Sequence, residues 1–365
     1  MQLKEIIKEF EDLVPKQIEW EKDNCGLQIG DPESEIKKIL LCLEINNTII
    51  QEAKETKSDL IFSHHPFIFH PIKSINLQTN QGTIIQKLIN YNINLYSAHT
   101  NFDKYKEGIN YTIGELLNLK NIKPLIVDDE YFYKIVTFAP ENATEKIINA
   151  LSIVGAGKFG NYSNCSFQSK GEGSFKGNEN SNPYIGEKGE LTKVSEIKIE
   201  MIFPKWKQRD IINALRQNHP YEEPAFDIIP LKNKIPEYGY GIIGELETEI
   251  EASNFLTNLK KILSIPILKV AGNIEKKIKR IAFLGGSGAS YIDYAITKNA
   301  DIFITADLSY HNYFDYKDKI IIVDAGHYET EILGLNALHK VLSKILKDKV
   351  EIIKTKYITN PIIYF

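Results

Sequence analysis

The sequence predicts an α/β protein: two similar α/β halves that form one domain, interrupted by a ferredoxin-like α+β insertion. Three observations predict it. Short apolar strands alternate with amphipathic helices over residues 1–127 and again over 234–365, the pattern of a largely parallel sheet with covered faces. Between them, residues 128–233 change style and include a Gly-, Asn- and Ser-rich stretch from Gly155 to Gly189. Histidine-bearing clusters stand at strand ends in both outer segments, which supports joining those segments into one domain.

The first half reads as helix 2–13, a loop through Asn24–Gly30, strand 37–45, helix 47–57 and strand 59–62. Helix 80–91, strand 93–97 and helix 108–118 complete it. In the middle segment, strand 131–138 ends at Pro140, and helix 143–151 precedes the Gly-rich stretch. Strand 194–203, helix 207–218 and strand 226–229 follow. The order is taken as β-α-β-β-α-β, a small ferredoxin-like unit. The last half reads as helix 250–261, strands 267–271 and 280–284, helix 290–298, strand 301–305, strand 320–324, helix 328–345 and strand 348–352.

A chain of 365 residues is long enough for a large core and more than one domain. The formal charge of −4, with no densely basic segment, argues against a dedicated nucleic-acid surface. Cys25, Cys42 and Cys165 lie far apart and show neither a disulfide framework nor zinc-ribbon spacing. The start reads as an amphipathic helix rather than a secretion signal. No uncharged apolar run approaches the roughly 20 residues that span a bilayer. A reduced, cytoplasmic protein without a membrane partner is the expectation.

Four clusters carry the chemistry. Ile61-Phe62-Ser63-His64-His65-Pro66 runs an apolar strand out into adjacent imidazoles, and Pro66 restricts His65 to extended geometry. Adjacent side chains diverge, so the two rings are placed to contact different metals. Ser97 to Asp103 places His99 and a hard carboxylate at a second strand exit. His99 reads as a ligand, an acid-base group or, preferentially, a group that orients the ligands. Asp324 to Glu331 places His327 and Glu331 four apart, on one helical face if the helix starts there. Asp307 and His311 form another pair four apart, placed to handle substrate or protons. The structural alternatives are a loop hydrogen bond for one of His64 and His65, an Asx turn or helix cap for Asp103, and a helix-start salt bridge or cap for His327 and Glu331.

Together His64, His65, Asp103, His327 and Glu331 offer three nitrogens and two carboxylates, with Glu331 placed to bridge two ions. Incomplete protein coordination leaves positions for water, as in hydrolytic rather than structural sites. Mixed N/O ligation favours Zn, Fe or Mn over Mg. Gly285-Gly286-Ser287-Gly288 is either a phosphate cradle at a helix start or a tight turn, and it lacks the lysine of a Walker A loop.

These motifs, with Asp23-Asn24-Cys25-Gly26-Leu27-Gln28-Ile29-Gly30, closely resemble the NIF3-like family, also known as GTP cyclohydrolase 1 type 2 homologues, over essentially the whole chain. The resemblance implies one NIF3-like domain with two metals per subunit on His64, His65, Asp103, His327 and Glu331, the glutamate bridging. It implies a hexameric toroid with sites facing an internal cavity. It also implies that the middle segment, with Gly155-Ala156-Gly157, Asn161 to Phe167 and His219-Pro220-Tyr221-Glu222-Glu223-Pro224, is a PII/CutA-like insertion. Two positions depart from the pattern: Ala306, where glycine usually precedes the aspartate, and Glu44, where an aspartate is common.

The family name implies attack of activated water at the purine C8 of GTP with release of formate, with His99 or His311 shuttling protons and Asp307 assisting. No obvious motif supplies the cations that a triphosphate needs. Hydrolysis of another nucleotide, a phosphoester or an amide fits the same ligands. A non-enzymatic, metal-responsive or partner-binding regulator is the alternative from a different class.

Overall fold

The computed structural model describes residues 1–127, 132–233 and 238–365. The chain divides into two compact units, Met1–Val127 with Pro236–Phe365, and Asp128–Ile235. The domain limits read at residues 128 and 234, and the first residue of the strand read at 131–138, lie outside the described residues.

The first segment runs α1 (Leu3–Leu13), β1 (Gly26–Ile29), β2 (Lys38–Cys42), α2 (Asn47–Thr56), β3 (Leu60–Ser63), α3 (Asn80–Asn90), β4 (Asn94–Ser97), α4 (Thr100–Asp103), α5 (Ile109–Leu116) and β5 (Lys120–Val127). The middle segment is β6 (Phe132–Ala139), α6 (Thr144–Ile153), β7 (Phe167–Lys176), β8 (Leu191–Pro204), α7 (Gln208–Asn218) and β9 (Phe226–Pro230). The last segment opens with β10 (Gly239–Glu251), α8 (Ala252–Leu263), β11 (Lys269–Ala271), β12 (Lys277–Ser287), α9 (Ile292–Thr297) and β13 (Ile302–Ala306). It closes with α10 (Tyr310–Tyr316), β14 (Ile321–Asp324), α11 (His327–Glu331), α12 (Gly334–Leu346) and β15 (Glu351–Lys354).

The larger unit contains two mixed sheets. One has the order β1-β4-β3-β2-β15 and the other β11-β14-β13-β12-β10-β5. Strands β15, β2, β3 and β4 are parallel, in registers such as Ile39 opposite Leu60 and Leu60 opposite Asn94. Strands β12, β13 and β14 are likewise parallel. Every residue of β3, β4, β13 and β14 is buried, which is why these strands read as continuous apolar runs rather than alternating ones. The helices cover them with one apolar stripe each. On α1 that stripe is Leu3, Ile6 and Phe10, spaced for one helical face. The Asn46 side chain accepts from Ile49 N at 3.0 Å and starts α2.

The sheets exchange edge strands along the sequence. The final strand β15 pairs with β2 in the first sheet, and β5 pairs with β10 in the second. Val127 and Gly239 are direct partners in that β5–β10 ladder, so the chain leaves and re-enters this unit at neighbouring points, which suits an inserted segment.

The smaller unit is a four-stranded antiparallel sheet in the order β7-β8-β6-β9. Ile197, Ile199 and Met201 of β8 pack with Ile147 and Leu151 of α6 and Ile211 and Leu215 of α7. Among the described residues no helix is long and apolar enough to cross a membrane.

Four strands escaped the sequence reading. The loop expected over Asn24–Gly30 contains β1, a strand only four residues long with Gln28 between glycine-bearing flanks. β5 and β10 carry many exposed polar residues. β7 lies in the Gly- and Ser-rich stretch, where most side chains are exposed, so no apolar alternation marks it. The helix expected over 328–345 is instead α11 followed by α12. Gly334 at the start of α12 lies against Ile109, where a Cβ would come within 2.3 Å, so the second helix seats on α5 through a glycine.

Candidate metal centre

The histidine clusters meet at the C-terminal ends of parallel strands in the larger unit. His64 and His65 follow β3, His99 follows β4, Asp307 follows β13, and His327 begins α11 after β14. Strand ends of this kind are the usual site-forming positions of α/β sheets, because backbone pairing stops and side chains fan out.

Four imidazoles are each fixed through Nδ1. His64 Nδ1 lies 2.9 Å from Ala98 O, His65 Nδ1 3.3 Å from Glu44 Oε1, and His327 Nδ1 2.6 Å from Asp307 Oδ2. His99 Nδ1 meets both carboxylate oxygens of Asp23 at 2.9 and 3.0 Å. A ring nitrogen facing an acceptor carries the proton, so in the neutral ring each Nε2 presents a lone pair.

Three of those Nε2 atoms face two carboxylates, the half-buried Asp103 and the buried Glu331. His64 Nε2 is 3.6 Å from Asp103 Oδ1. His65 Nε2 and His327 Nε2 stand 3.0 and 3.3 Å from the same oxygen, Glu331 Oε2. Both His64 Nε2 and Glu331 Oε2 are buried without a hydrogen-bond partner. Two groups of possible ligand atoms, His64–His65–His99 and His65–His327–Glu331, each lie within 4.8 Å of one another. His65 belongs to both.

The electrostatics follow from this crowding. Burial holds His64 down at about 3, so it stays neutral. Burial would also lower His65, but Glu331 and Glu44 raise it to about 10. His327 is raised to about 9 by Glu331, against burial, with help from Asp307. Burial pushes Asp103 up from the ordinary carboxylate range. Burial also opposes ionisation of Glu331, yet His327 and His65 hold it well below that range. Without a metal, protons on His65 and His327 neutralise Glu331. Were those rings neutral, their lone pairs would face a buried carboxylate, which costs several kcal/mol unless a proton or a metal cation stands between them, and neutral imidazole with carboxylate is a borderline-metal donor set. The residues present fit divalent cations.

Gly286 makes room for the carboxylate. Its φ is +65°, and a Cβ there would come within 2.3 Å of Glu331 Oε1 and 3.3 Å of His327 Nε2. The Gly285 and Gly286 amides are engaged, donating to Asn110 Oδ1 at 2.9 Å and Thr330 Oγ1 at 3.0 Å. The glycine-rich turn therefore spends these amides on side chains of the fold rather than presenting them to a phosphate.

His64, His65, Asp103, His327 and Glu331 are thus brought together, with His99 beside them. Asp307 lies at the edge, accepting from His327 and from the Ser287 hydroxyl. Its φ of +57° puts the left-handed turn on the aspartate, after the ordinary strand conformation of Ala306. The structure does not place His311 in either ligand group. It sits exposed on α10 with its ring 5.7 Å from Tyr310. The spacing of four from Asp307 fails because the helix starts only after the Ser309 cap. Glu329 points elsewhere, to Asn360 and Tyr364 at 2.9 and 3.1 Å.

Sequence reasoning assigned no role to Asp23 or Thr359. Asp23 stood in a quoted motif, but nothing local ties it to His99, 76 positions away. Thr359 donates its hydroxyl to Glu44, which in turn faces His65. Glu19, Asp23 and Cys25 form a third possible ligand group, but its atoms hold the local loop: Glu19 accepts from the Cys25 amide at 2.7 Å. Burial and Asp23 also raise the Cys25 thiol far above its ordinary value, so it is protonated and a poor ligand.

The chain matches the family described as Duf34/NIF3 (NGG1p interacting factor 3) over residues 1–361. It is 39% identical over 361 residues to a Halalkalibacterium halodurans protein named GTP cyclohydrolase 1 type 2 homolog, covering 98% of this chain and 97% of that one. A Bacillus cereus protein related to NIF3 has a crystal structure with a TM-score of 0.87 and 36% identity, covering 100% of this chain and 99% of that chain. The crystal structure of a Staphylococcus aureus protein matches with a TM-score of 0.80 and 30% identity at the same coverage. With the fold, the strand-end histidines and these likenesses in agreement, the chain belongs to the Duf34/NIF3 family.

Proposed function

We propose that this protein binds two divalent metal ions and uses them for hydrolysis. His64 and Asp103 would hold one ion, His65 and His327 the other, with Glu331 between them. The observation that carries the reading is the shared Glu331 oxygen, buried without a hydrogen-bond partner and faced by two imidazole Nε2 atoms. Zn, Fe or Mn suits the mixed donor set. Bound divalent cations supply Lewis acidity and ease the ionisation of water. The protein's part is to orient the rings: Ala98, Glu44 and Asp307 fix which nitrogen of His64, His65 and His327 faces inward. His99, held by Asp23, is the proton-handling group of this proposal, and Asp307 supports it from the other side. His311, on its exposed helix, would serve only a substrate that reaches across to α10.

The curated relatives carry a GTP cyclohydrolase name, so GTP heads the substrates to be tested, followed by other nucleotides and phosphoesters. The smaller unit reads as a ferredoxin-like insertion of the PII/CutA kind, over 128–233, between an N-terminal half, 1–127, and a C-terminal half, 234–365. Its β-α-β-β-α-β order and its sheet order β7-β8-β6-β9 support that reading. A hexameric toroid of cytoplasmic protein remains part of the proposal, as the family resemblance implies.

The test is metal analysis of purified protein together with metal-reconstituted turnover assays that measure formate and phosphate separately. Up to two ions per chain are expected, lost in Glu331→Gln. Full retention of metal in that variant would sink the bridging assignment. Tight metal binding with no turnover on any nucleotide or phosphoester would favour the metal-responsive regulator.

A further inference from the structure

The smaller unit contains a cavity of about 590 Å³ that the metal chemistry does not use. It lies on the face of the sheet turned away from α6 and α7. On β8, Ile197 and Ile199 face the helices, whereas Glu196 and Lys198 line the cavity. β7 forms the rest of the floor, and the segments around Tyr184 and Tyr221 form the walls.

Its polar and aromatic groups are arranged about one carboxylate. The Tyr221 hydroxyl donates to Glu196 Oε1 at 2.8 Å. Burial, together with Glu196, raises the tyrosine's ionisation well above its ordinary value, so the hydroxyl remains a donor. The other oxygen, Glu196 Oε2, lies over Gly173, where a Cβ would come within 2.1 Å. A glycine at that point of β7 leaves the space that the carboxylate occupies. Phe175 and Tyr184 flank Tyr221 with ring centroids 6.3 and 6.1 Å away. Tyr221 is itself pinned by His219, which accepts from the Tyr221 amide at 3.1 Å and bonds Phe138 O through Nε2 at 3.0 Å.

The charge balance selects the ligand. Lys170 and Lys198 line the cavity but turn to acids outside its lining, Lys170 to Glu141 at 3.1 Å and Lys198 to Glu200 at 2.5 Å, an acid that Lys198 shares with Lys134 at 2.7 Å. Glu172 pairs with Lys193 at 2.7 Å. Among the described residues no lysine or arginine pairs with Glu196, Glu222 or Glu223. The lining holds four glutamates against two lysines, so it combines three aromatic faces with an excess of negative charge. That combination attracts a weakly hydrated cation, whose alkyl groups pack on the rings while its charge meets the π faces and the carboxylate. An anion would meet like charge, and a bare ammonium would lose more hydration than the rings return.

We propose that this cavity is a binding site for a small organic cation bearing an alkylated ammonium group, held by Tyr221, Tyr184, Phe175 and Glu196. The proposal does not depend on how the metal centre works.

Titration calorimetry of the full chain with tetramethylammonium, choline and benzyltrimethylammonium tests it, with chelator present so that metal plays no part. Saturable binding of at least one is expected. The neutral choline isostere 3,3-dimethyl-1-butanol should bind roughly tenfold or more weakly, since it lacks the charge. Glu196→Gln and Tyr184→Ala should each weaken binding roughly fivefold or more. Tyr184 is 55% exposed, so its replacement leaves the fold intact, and thermal melts verify this for both variants. No saturable binding of any of the three cations would overturn the proposal. So would equal affinity for the neutral isostere, tighter binding of inorganic phosphate, or unchanged affinity in both variants.

Discussion

His327 Nδ1 lies 2.6 Å from Asp307 Oδ2, and that contact decides which nitrogen of the ring faces Glu331. Asp307 thereby acts on the proposed metal position without reaching it. Asp307→Asn keeps a side chain of the same shape and tolerates the left-handed backbone at this position. It loses the charge that orients and enriches the imidazole. Metal affinity should fall about 10- to 100-fold with little change in melting temperature, as a chelator competition and a thermal melt would show. An affinity within twofold of the parent would refute the orienting role.

Gly286→Ala is expected to harm both stability and metal binding. The new Cβ would meet Glu331 Oε1 at 2.3 Å in a backbone with φ of +65°. Left-handed backbone costs a non-glycine residue about 1 kcal/mol, and displacing Glu331 adds to it. Denaturant unfolding should report a loss of about 1–3 kcal/mol, together with weakened metal retention.

Metal binding should release protons. His65 and His327, at about 10 and about 9, are protonated at pH 8 in the metal-free protein and must lose those protons to ligate. His64, at about 3, has none to lose. Calorimetry at pH 8 in buffers of differing ionisation enthalpy should find about two protons released when both positions fill. Affinity should rise with pH up to pH 8. Binding that is independent of pH between 6 and 8 would count against His65 and His327 as ligands.

The smaller unit should lose stability as pH falls. Burial lowers the pKa of His219 in the folded state, against its bond to Phe138 O. The unfolded chain therefore takes up the proton first, and stability drops as pH falls through the ordinary value near 6.5. His219→Gln should flatten that dependence in pH-resolved melts. An unchanged slope would show that another group causes it.

The local signals of the sequence were strong where strands are buried on both faces. Ile61 to Ser63, Leu95 to Ser97 and Ile302 to Thr305 are uninterrupted runs that end in imidazoles, carboxylates or both, so the α/β class and the strand-end clusters were legible. The spacing of His327 and Glu331 was also legible, because a single helical turn carries it. Gly286, Asp23 and Thr359 were not. Their roles lie in what they face: Glu331 at 45 positions' distance, His99 at 76, and Glu44 at 315. The exposed strand β7, and the exposed polar stretches of β5 and β10, left no apolar alternation to read.

By itself the sequence determined which residue types stand at the ends of which strands, because burial on both faces writes itself into composition. The tertiary structure alone decided which nitrogen of each ring points inward. It decided that His65 belongs to both ligand groups, and that His311 remains on an exposed helix. Those outcomes depend on hydrogen bonds and packing between segments far apart in the chain, and local propensity carries no record of them.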